Sequence, residues 1–218
     1  MKSDAPAGIL ARLKFATRAE HDAIESALDL MTPSLSHAHY CWHLQRLYGF
    51  YRPMERILNP AAPWADWGIA INDREKSALL AHDLHILGMP APATLPECAD
   101  LPSVTSAAAA FGCLYVLEGA TLGGRVISRH LERTLGLDAG CGAHFFNCYG
   151  AESGARWRSF RAALTAFSAS AAGENETVAA AIDTFRALRV WCASPHQSQP
   201  RLGPGCPHAS AGGALQRD

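Results

Sequence analysis

The chain has 218 residues, of which 49% are hydrophobic and 18% are charged, and its formal net charge is −1. This composition is sufficient for one sizeable hydrophobic core and excludes an intrinsically disordered protein. The near-zero net charge gives no indication of a nucleic-acid partner, and the lack of a polybasic run gives none of a membrane partner.

Helical periodicity dominates the sequence. The first predicted helix follows three residues that are typical of helix starts, namely Ser3, Asp4 and Pro6. Its apolar stripe contains, in chain order, Leu10, Leu13, Thr17, His21, Ile24 and Leu28. The stripe predicts that His21 faces the interior of the fold.

Two shorter helices are predicted next. The second helix begins near Ser36, and Pro53 should kink or end it. A third helix is predicted from about Asn72 to Leu87, because Asn72 and Glu75 have the spacing of a capping box.

The second half of the chain contains three predicted helices. A long helix is predicted from about Ala107 to Gly136, and a glycine-rich, aromatic connection then runs to Gly150. Two amphipathic helices follow, around residues 157–167 and 178–188. No alternating pattern predicts a strand, so the predicted fold class is all-α. We expect one helical domain over residues 1–193 and a flexible tail over 194–218, which is rich in Pro, Gly, Ser and Gln.

The lack of targeting signals and the spacing of the cysteines argue against a membrane-spanning or secreted protein and against a disulfide framework or zinc site. The longest nearly apolar stretch, Val104 to Leu117, is shorter than the roughly 18 residues of a membrane-spanning helix. The N-terminus contains no apolar signal-peptide core, and we therefore expect a cytoplasmic protein. The seven cysteines include no Cys-x-x-Cys pair, so they predict neither a disulfide framework nor a zinc site.

His21 is the first candidate for chemistry. Glu25 lies on the same helix face and could orient the imidazole through the ring nitrogen that does not bind a metal. Lys14 and Arg18 lie close to that face as well. A neutral imidazole, a carboxylate and two cations would suit a metal porphyrin with two carboxylate arms. The alternative is a core histidine beside solvated ion pairs on the helix surface.

Three glycines form the second candidate. Gly119, Gly123 and Gly124 interrupt a strongly helical pattern, where each is less favourable than alanine by roughly 1 kcal/mol. They indicate a bend, close helix packing, two separate helices joined by a turn, or the close approach of a ligand to the backbone. A flat macrocycle lying against the helix would explain them. No strand precedes the segment and its spacing differs from Gly-x-Gly-x-x-Gly, so it is not a dinucleotide-binding motif.

A histidine cluster at the start of the second helix is a weaker candidate. His39 and His43 are four residues apart, which is compatible with zinc, and His37 is nearby. No His-Glu-x-x-His pattern occurs, and the interpretation as ordinary helix residues is favoured.

Two segments together resemble the haem oxygenase family. Residues 13–25, LKFATRAEHDAIE, are similar to its proximal helix, and residues 115–127, YVLEGATLGGRVI, are similar to its distal helix. The resemblance covers residues 8–192 and is strongest to bacterial, biliverdin-producing members. It implies a haem oxygenase-like helical bundle in which haem lies between the two helices.

The resemblance also implies the site residues. His21 would bind the iron, and Glu25 would be its hydrogen-bonding partner. The distal contacts would be Gly119, Gly123 and Gly124, and we expect Gly123 and Gly124 to affect the chemistry more than the folding. The cations near the haem propionates would be Lys14, Arg18 and either Arg161 or Arg158.

The implied activity is oxidative cleavage of haem to biliverdin, with release of carbon monoxide and ferrous iron. Molecular oxygen and an external electron donor are needed, and the donor would be a ferredoxin, a flavodoxin or a flavoprotein reductase. A bilin-binding photoreceptor could receive the product. Alternatives are a non-catalytic haem-binding or sensing protein of the same fold, a related helical enzyme acting on thiamine-like compounds through a cysteine such as Cys113, and a helical interaction protein.

The sequence departs from many animal family members at one position. They carry an aspartate directly after the first glycine of the distal motif, where this chain has Ala120. The water network that the aspartate organises would need another anchor, either backbone groups or Arg125. This departure keeps the non-catalytic alternative open.

Overall fold

The residues that the structure describes form six α-helices. The computed structural model describes residues 8–89, 92–170 and 173–193, so the helix-start signals at Ser3, Asp4 and Pro6 and the tail over 194–218 lie outside the described residues. The helices are α1 (Ile9–Leu28), α2 (His37–Leu58), α3 (Ser77–Ile86), α4 (Ala107–Leu135), α5 (Ser153–Ser170) and α6 (Glu174–Cys192). Short 3-10 turns connect them, and the described residues contain no strand. The predicted all-α class is confirmed.

Helix α2 begins where it was expected and continues past its proline. The Ser36 side chain accepts a hydrogen bond from the backbone N–H of His39 at 3.2 Å, which is the usual N-cap arrangement. Pro53 lies inside the helix and does not end it. Proline has no N–H to offer the carbonyl of Gly49, and that carbonyl instead accepts a hydrogen bond from Cys98 at 2.8 Å.

Helix α3 begins later than the sequence predicts. The predicted start at Asn72 is wrong, because Ile71–Arg74 is a 3-10 turn and α3 begins at Ser77. The cap comes from a distant residue, since the Glu55 carboxylate of α2 accepts hydrogen bonds from the backbone N–H groups of Lys76 at 2.6 Å and Ser77 at 3.2 Å. Burial raises the pKa of Glu55.

Helix α4 is the central element. Ser106 caps its N-terminus, and Gly136, with φ of 69°, ends it as predicted. It packs mainly on α6 and the turn at Phe145–Asn147. A Cβ at Gly112 would lie 2.2 Å from the carbonyl oxygen of Thr177, so this glycine permits the close approach of α6.

By length and composition, α4 is the one described helix that could cross a membrane. However, 67% of its most apolar 18-residue window is buried inside the fold. The core helix of a soluble protein passes the same test, so the apolar character of α4 is accounted for by its central position in the bundle.

Helix α1 packs along α6 in a parallel direction. Near its start, Arg12 forms an ion pair with Glu174. Two turns later, Glu20 accepts a hydrogen bond from Arg186 at 2.7 Å. Both α1 and α4 therefore pack mainly on α6 and only slightly on each other.

Candidate functional site

Two contacts join α1 to α4 and define the ends of a cleft. The side chains of Thr17 and Tyr115 are hydrogen-bonded at one end. At the other end, Nε2 of His130 lies 3.0 Å from the carbonyl oxygen of Thr32, just beyond α1. Thr32 follows Thr17 by fifteen residues, and His130 follows Tyr115 by the same number. The two segments therefore run in the same direction between these contacts. We call this space the α1–α4 cleft.

His21 lies on the cleft side of α1, one turn after Thr17. Its side chain is 53% exposed, and its ring meets Phe185 of α6 edge-on with centroids 5.9 Å apart. The prediction that His21 faces the closed interior was therefore wrong. The residue lies at the border of the core, with one edge packed on α6 and the remainder accessible.

Two carboxylates surround one nitrogen of the His21 ring. Nδ1 lies 3.7 Å from Oε2 of Glu25 and 3.8 Å from Oδ1 of Asp22. These separations exceed a direct hydrogen bond but fit one bridged by water. Nε2 is thus the nitrogen left for a metal. Among the described residues, these three side chains are also the one group of at least three that could hold an ion jointly, an arrangement that exposed acidic groups often show without an ion.

The opposing face of α4 carries two glycines, and therefore no side chains, in its middle part. Tyr115, Gly119, Gly123, Val126 and His130 recur at helical spacing along this face. Its two end residues make the contacts with the α1 side, so the face points toward α1. A Cβ at Gly123 would meet nothing within 4 Å, and one at Gly119 would only touch Trp157 at 4.0 Å.

The register of the two helices places His21 opposite this bare face. His21 lies four residues after Thr17, and Gly119 lies four residues after Tyr115, a rise of roughly 6 Å in each helix. Glu25 and Gly123 correspond in the same way, one turn further on. The cleft thus has an imidazole on one wall and glycine backbone on the other. Its outer edge is apolar, because Leu122 and Val126 are 48% and 58% exposed.

Gly124 does not belong to this face. A Cβ there would lie 2.1 Å from the carbonyl oxygen of Phe146. The turn carrying Phe146 is held by the buried Asp83 carboxylate, which accepts the backbone N–H groups of His144 at 2.9 Å and Phe145 at 2.8 Å. This packing argues against the predicted contact between Gly124 and haem, because the side of Gly124 that would carry a Cβ lies against a neighbouring turn.

Three of the predicted cations lie at the Tyr115 end of the cleft. Lys14 and Arg18 are exposed on either side of Thr17 in α1. Burial raises the pKa of the Tyr115 phenol, and Arg161 of α5 is close enough to oppose that rise in part. Arg158 instead lies near Gly154, so Arg161 is the better placed of the two alternatives.

Several other predicted candidates lie away from the cleft. Arg125 is two residues after Gly123 and therefore on the other side of α4, which argues against it as the anchor of a distal water network. Cys113 is fully buried, and burial raises the pKa of its thiol to about 11. An unactivated thiol of this kind does not fit the thiamine-type alternative.

The histidines of α2 form a pair rather than a complete metal site. Nε2 of His39 and Nε2 of His43 lie 2.9 Å apart, and His43 is buried. No third ligand joins them among the described residues. A hydrogen-bonded pair at the core boundary accounts for their spacing.

Sequence reasoning missed a buried charge cluster next to the glycines. The carboxylate of Glu118, directly before Gly119, binds Arg74, Lys76 and the hydroxyl of Tyr149. Burial and the neighbouring Glu118 raise the pKa of Tyr149. The available signal was a single acidic residue within the apolar run of α4, but its partners come from distant segments that no local pattern connects to it.

Comparisons with known proteins identify the family and the fold. A sequence model described as haem oxygenase matches residues 7–194. A haem oxygenase of Xanthomonas campestris pv. campestris is 40% identical over 113 residues, which are 51% of this chain and 64% of the relative. This alignment therefore spans slightly less than two thirds of the relative's length.

Two solved structures share the fold. The haem oxygenase of Neisseria meningitidis, with nitric oxide and carbon monoxide bound, has a TM-score of 0.69 at 24% identity and covers 86% of this chain and 91% of its own. The haem oxygenase of Leptospira interrogans has the same TM-score at 20% identity and covers 86% of this chain and all of its own. At these identities the likeness shows the fold alone.

Proposed function

The chain belongs to the haem oxygenase family, and from this membership we infer that it binds haem in the α1–α4 cleft and cleaves it oxidatively. The products would be biliverdin, carbon monoxide and ferrous iron. The haem is the substrate and also supplies the iron at which molecular oxygen is reduced. The protein would bind the haem, orient it and exclude water.

The observation that carries the proposal is the pairing of His21 with a bare glycine face across one cleft. A planar ring needs two flat walls, and Gly119 and Gly123 provide one of them without any side chain. A Cβ at Gly123 would have no protein neighbour within 4 Å, so packing within the described structure does not require a glycine there. A ligand lying against the helix would require a glycine at this position.

The proximal wall supports the same assignment. Nδ1 of His21 faces Glu25 and Asp22, which favours the tautomer with its proton on Nδ1 and leaves Nε2 to bind iron. Imidazole donates less electron density to iron than a thiolate does, which suits ring oxidation better than the chemistry of cytochromes P450.

The cations give the haem an orientation. Lys14, Arg18 and Arg161 are exposed and lie at the same end of the cleft as Tyr115. The two propionates of haem are on one edge of the ring, so charge-assisted contacts would direct that edge toward this end. The opposite edge would then lie toward His130, and the ring would be presented to oxygen in a restricted set of positions.

We propose a cytoplasmic location and an external electron donor, which would be a ferredoxin, a flavodoxin or a flavoprotein reductase. Arg125, Arg129 and Arg133 are exposed at intervals of one turn along the outer side of α4. This row offers positive charge to an acidic electron carrier. A bilin-binding photoreceptor is a proposed recipient of the product.

Haem titration followed by turnover tests the function. Purified protein is mixed with one equivalent of haem, and spectra are recorded after ascorbate or a ferredoxin system is added in air. We expect a histidine-ligated haem spectrum that gives way to the broad bands of biliverdin. A bound haem that persists under these conditions would show a non-catalytic haem-binding protein, and failure to bind haem would refute the assignment altogether.

A further inference from the structure

Glu118 carries a buried carboxylate directly before Gly119. Its side chain is 1% exposed, and the Arg74 and Lys76 side chains that bind it are 3% and 2% exposed. Nζ of Lys76 lies 2.6 Å from Oε1, and the Tyr149 hydroxyl donates to the same oxygen at 2.9 Å. We call these four residues the Glu118 cluster.

The Glu118 cluster joins α4 to two other parts of the chain. Arg74 and Lys76 precede α3, and Nζ of Lys76 also donates to the carbonyl oxygen of Arg74 at 2.9 Å. Tyr149 comes from the turn before α5, and the Lys76 ammonium lies 5.2 Å from the centre of its ring. The position of Glu118 along and around α4 is therefore fixed by contacts on several sides.

Stability alone is a weak reason to bury these charges. Two cations and a carboxylate lose their hydration in this cluster, and apolar residues of similar volume often stabilise a fold at least as well. A buried ionic cluster is better explained where a unique geometry is needed. The adjacent residue here is Gly119, the first of the glycines on the cleft face.

The glycines themselves contribute little to holding the stretch in position, and Thr121 between them is buried with its hydroxyl donating to the carbonyl oxygen of Glu118 at 2.7 Å. Gly119 and Gly123 have low helix propensity and almost no packing neighbours. The cluster at Glu118 fixes the beginning of the stretch. At its other end, Gly124 packs on the carbonyl of Phe146, in the turn that Asp83 holds. The contacts of Glu118 and Gly124 both lie away from the face of α4 that points toward the cleft.

We propose that Glu118 is a positioning residue, whose buried cluster fixes the backbone of residues 119–123 at the distance from haem that ring opening requires. This inference rests on the proposed function. The distal wall carries no ionisable side chain between Tyr115 and His130 on its cleft face in the described structure. Control of the reaction from this side must therefore come from the position of the backbone.

Two variants test the proposal at different strengths. Tyr149→Phe removes one hydrogen bond and leaves every charge in place. Glu118→Gln removes the carboxylate charge between Arg74 and Lys76. Glu97→Gln is the matched control, because Glu97 also binds two arginines but does so at the surface. Leu44→Ala is the control for general destabilisation, because it leaves a cavity beside α2 without removing any polar group.

The primary measurement is amide hydrogen exchange in the protein without haem. We expect exchange at residues 119–123 to be roughly fivefold faster in Tyr149→Phe, the effect of one lost hydrogen bond, and faster still in Glu118→Gln. Exchange in α5 and α6 should change much less. Haem should still bind through His21 with an unchanged axial-ligand spectrum, while single-turnover loss of haem slows by a similar factor.

The proposal is overturned if neither cluster variant changes exchange at residues 119–123. It is equally overturned if exchange rises evenly in all helices, as Leu44→Ala should cause, because the cluster would then contribute only general stability. Should Glu118→Gln fail to fold, Tyr149→Phe still decides the question. If wild-type protein does not degrade haem, the proposed function fails, whereas the exchange data continue to test whether the cluster holds the glycine backbone.

Discussion

Replacing Gly124 by alanine should destabilise the fold, whereas the same change at Gly123 should not. The new Cβ at position 124 would lie 2.1 Å from the carbonyl oxygen and 3.1 Å from the carbonyl carbon of Phe146. The turn cannot retreat freely, since two of its backbone N–H groups are bound to Asp83. Overpacking of this kind typically costs about 1–3 kcal/mol.

A gain in helix propensity offsets part of this cost. Because the clash at 2.1 Å is with a backbone atom, we take the upper part of the range, about 2–3 kcal/mol, and alanine recovers roughly 1 kcal/mol of it. We therefore expect Gly124→Ala to lose about 1–2 kcal/mol overall, or roughly 2–8 °C in Tm for a domain of this size. Gly123→Ala has the propensity gain and no clash, because nothing lies within 4 Å of its Cβ. Its Tm should rise by roughly 1–4 °C.

Activity should show the reverse order. The methyl group of Gly123→Ala would project into the α1–α4 cleft, so this more stable variant should bind haem less tightly or degrade it more slowly. Thermal unfolding and single-turnover haem loss, measured on the same preparations, provide the comparison. A Gly124→Ala variant with unchanged Tm, or a Gly123→Ala variant that is less stable than wild type, would refute the assignment of the two glycines to opposite sides of α4.

Three further predictions concern the proximal side and pH. His21→Ala should change Tm by little, since the side chain is half exposed, yet remove the axial-ligand spectrum of bound haem; His37→Ala, another exposed histidine, should leave that spectrum intact. Alanine in place of the cations at the Tyr115 end should weaken haem binding or change the mixture of biliverdin isomers seen by chromatography; these cations are Lys14, Arg18 and Arg161. The control variant Arg129→Ala should do neither. Glu55 has a raised pKa in the fold, so its contribution to stability is present at low pH and is lost as pH rises through that pKa. Glu55→Gln should therefore lose stability relative to wild type as urea unfolding is moved from neutral to acidic pH, and a constant difference would show that Glu55 titrates normally.

The sequence predicts structure that depends on adjacent residues well, and contacts between distant segments of the chain poorly. The ends of α4 were predictable because Ser106 and Gly136 act on adjacent residues. The start of α3 was not, because its cap is Glu55 from another helix. Gly123 and Gly124 look equivalent in sequence, but a rotation of about 100° per residue directs one to the cleft and the other to Phe146.

The same limit applies to the candidate site. His21 and Glu25 share one helix, so their pairing could be predicted from spacing. The contacts that set their position opposite the glycines, from Thr17 to Tyr115 and from Thr32 to His130, connect segments nearly 100 residues apart. The Glu118 cluster was missed for the same reason, since burial of three charged side chains becomes visible only when the tertiary contacts are known.

The distribution of polar groups around α4 has a consequence for how such a site works. Ionisable side chains lie behind the helix, at Glu118, and at the two ends of the cleft, whereas the face toward His21 is formed by glycine backbone and apolar side chains. Acid–base catalysis by a distal side chain would require a titratable group within hydrogen-bond reach of the reacting atoms. Where α4 offers only backbone, the remaining means of control are the shape of the wall and the water that backbone groups can hold. Ala120 is compatible with such a wall because a position-based mechanism does not depend on a carboxylate there. The backbone of residues 119–123 must then be rigid, although its glycines give it low helix propensity. The buried contacts of Glu118 and Gly124 lie at the two ends of this stretch.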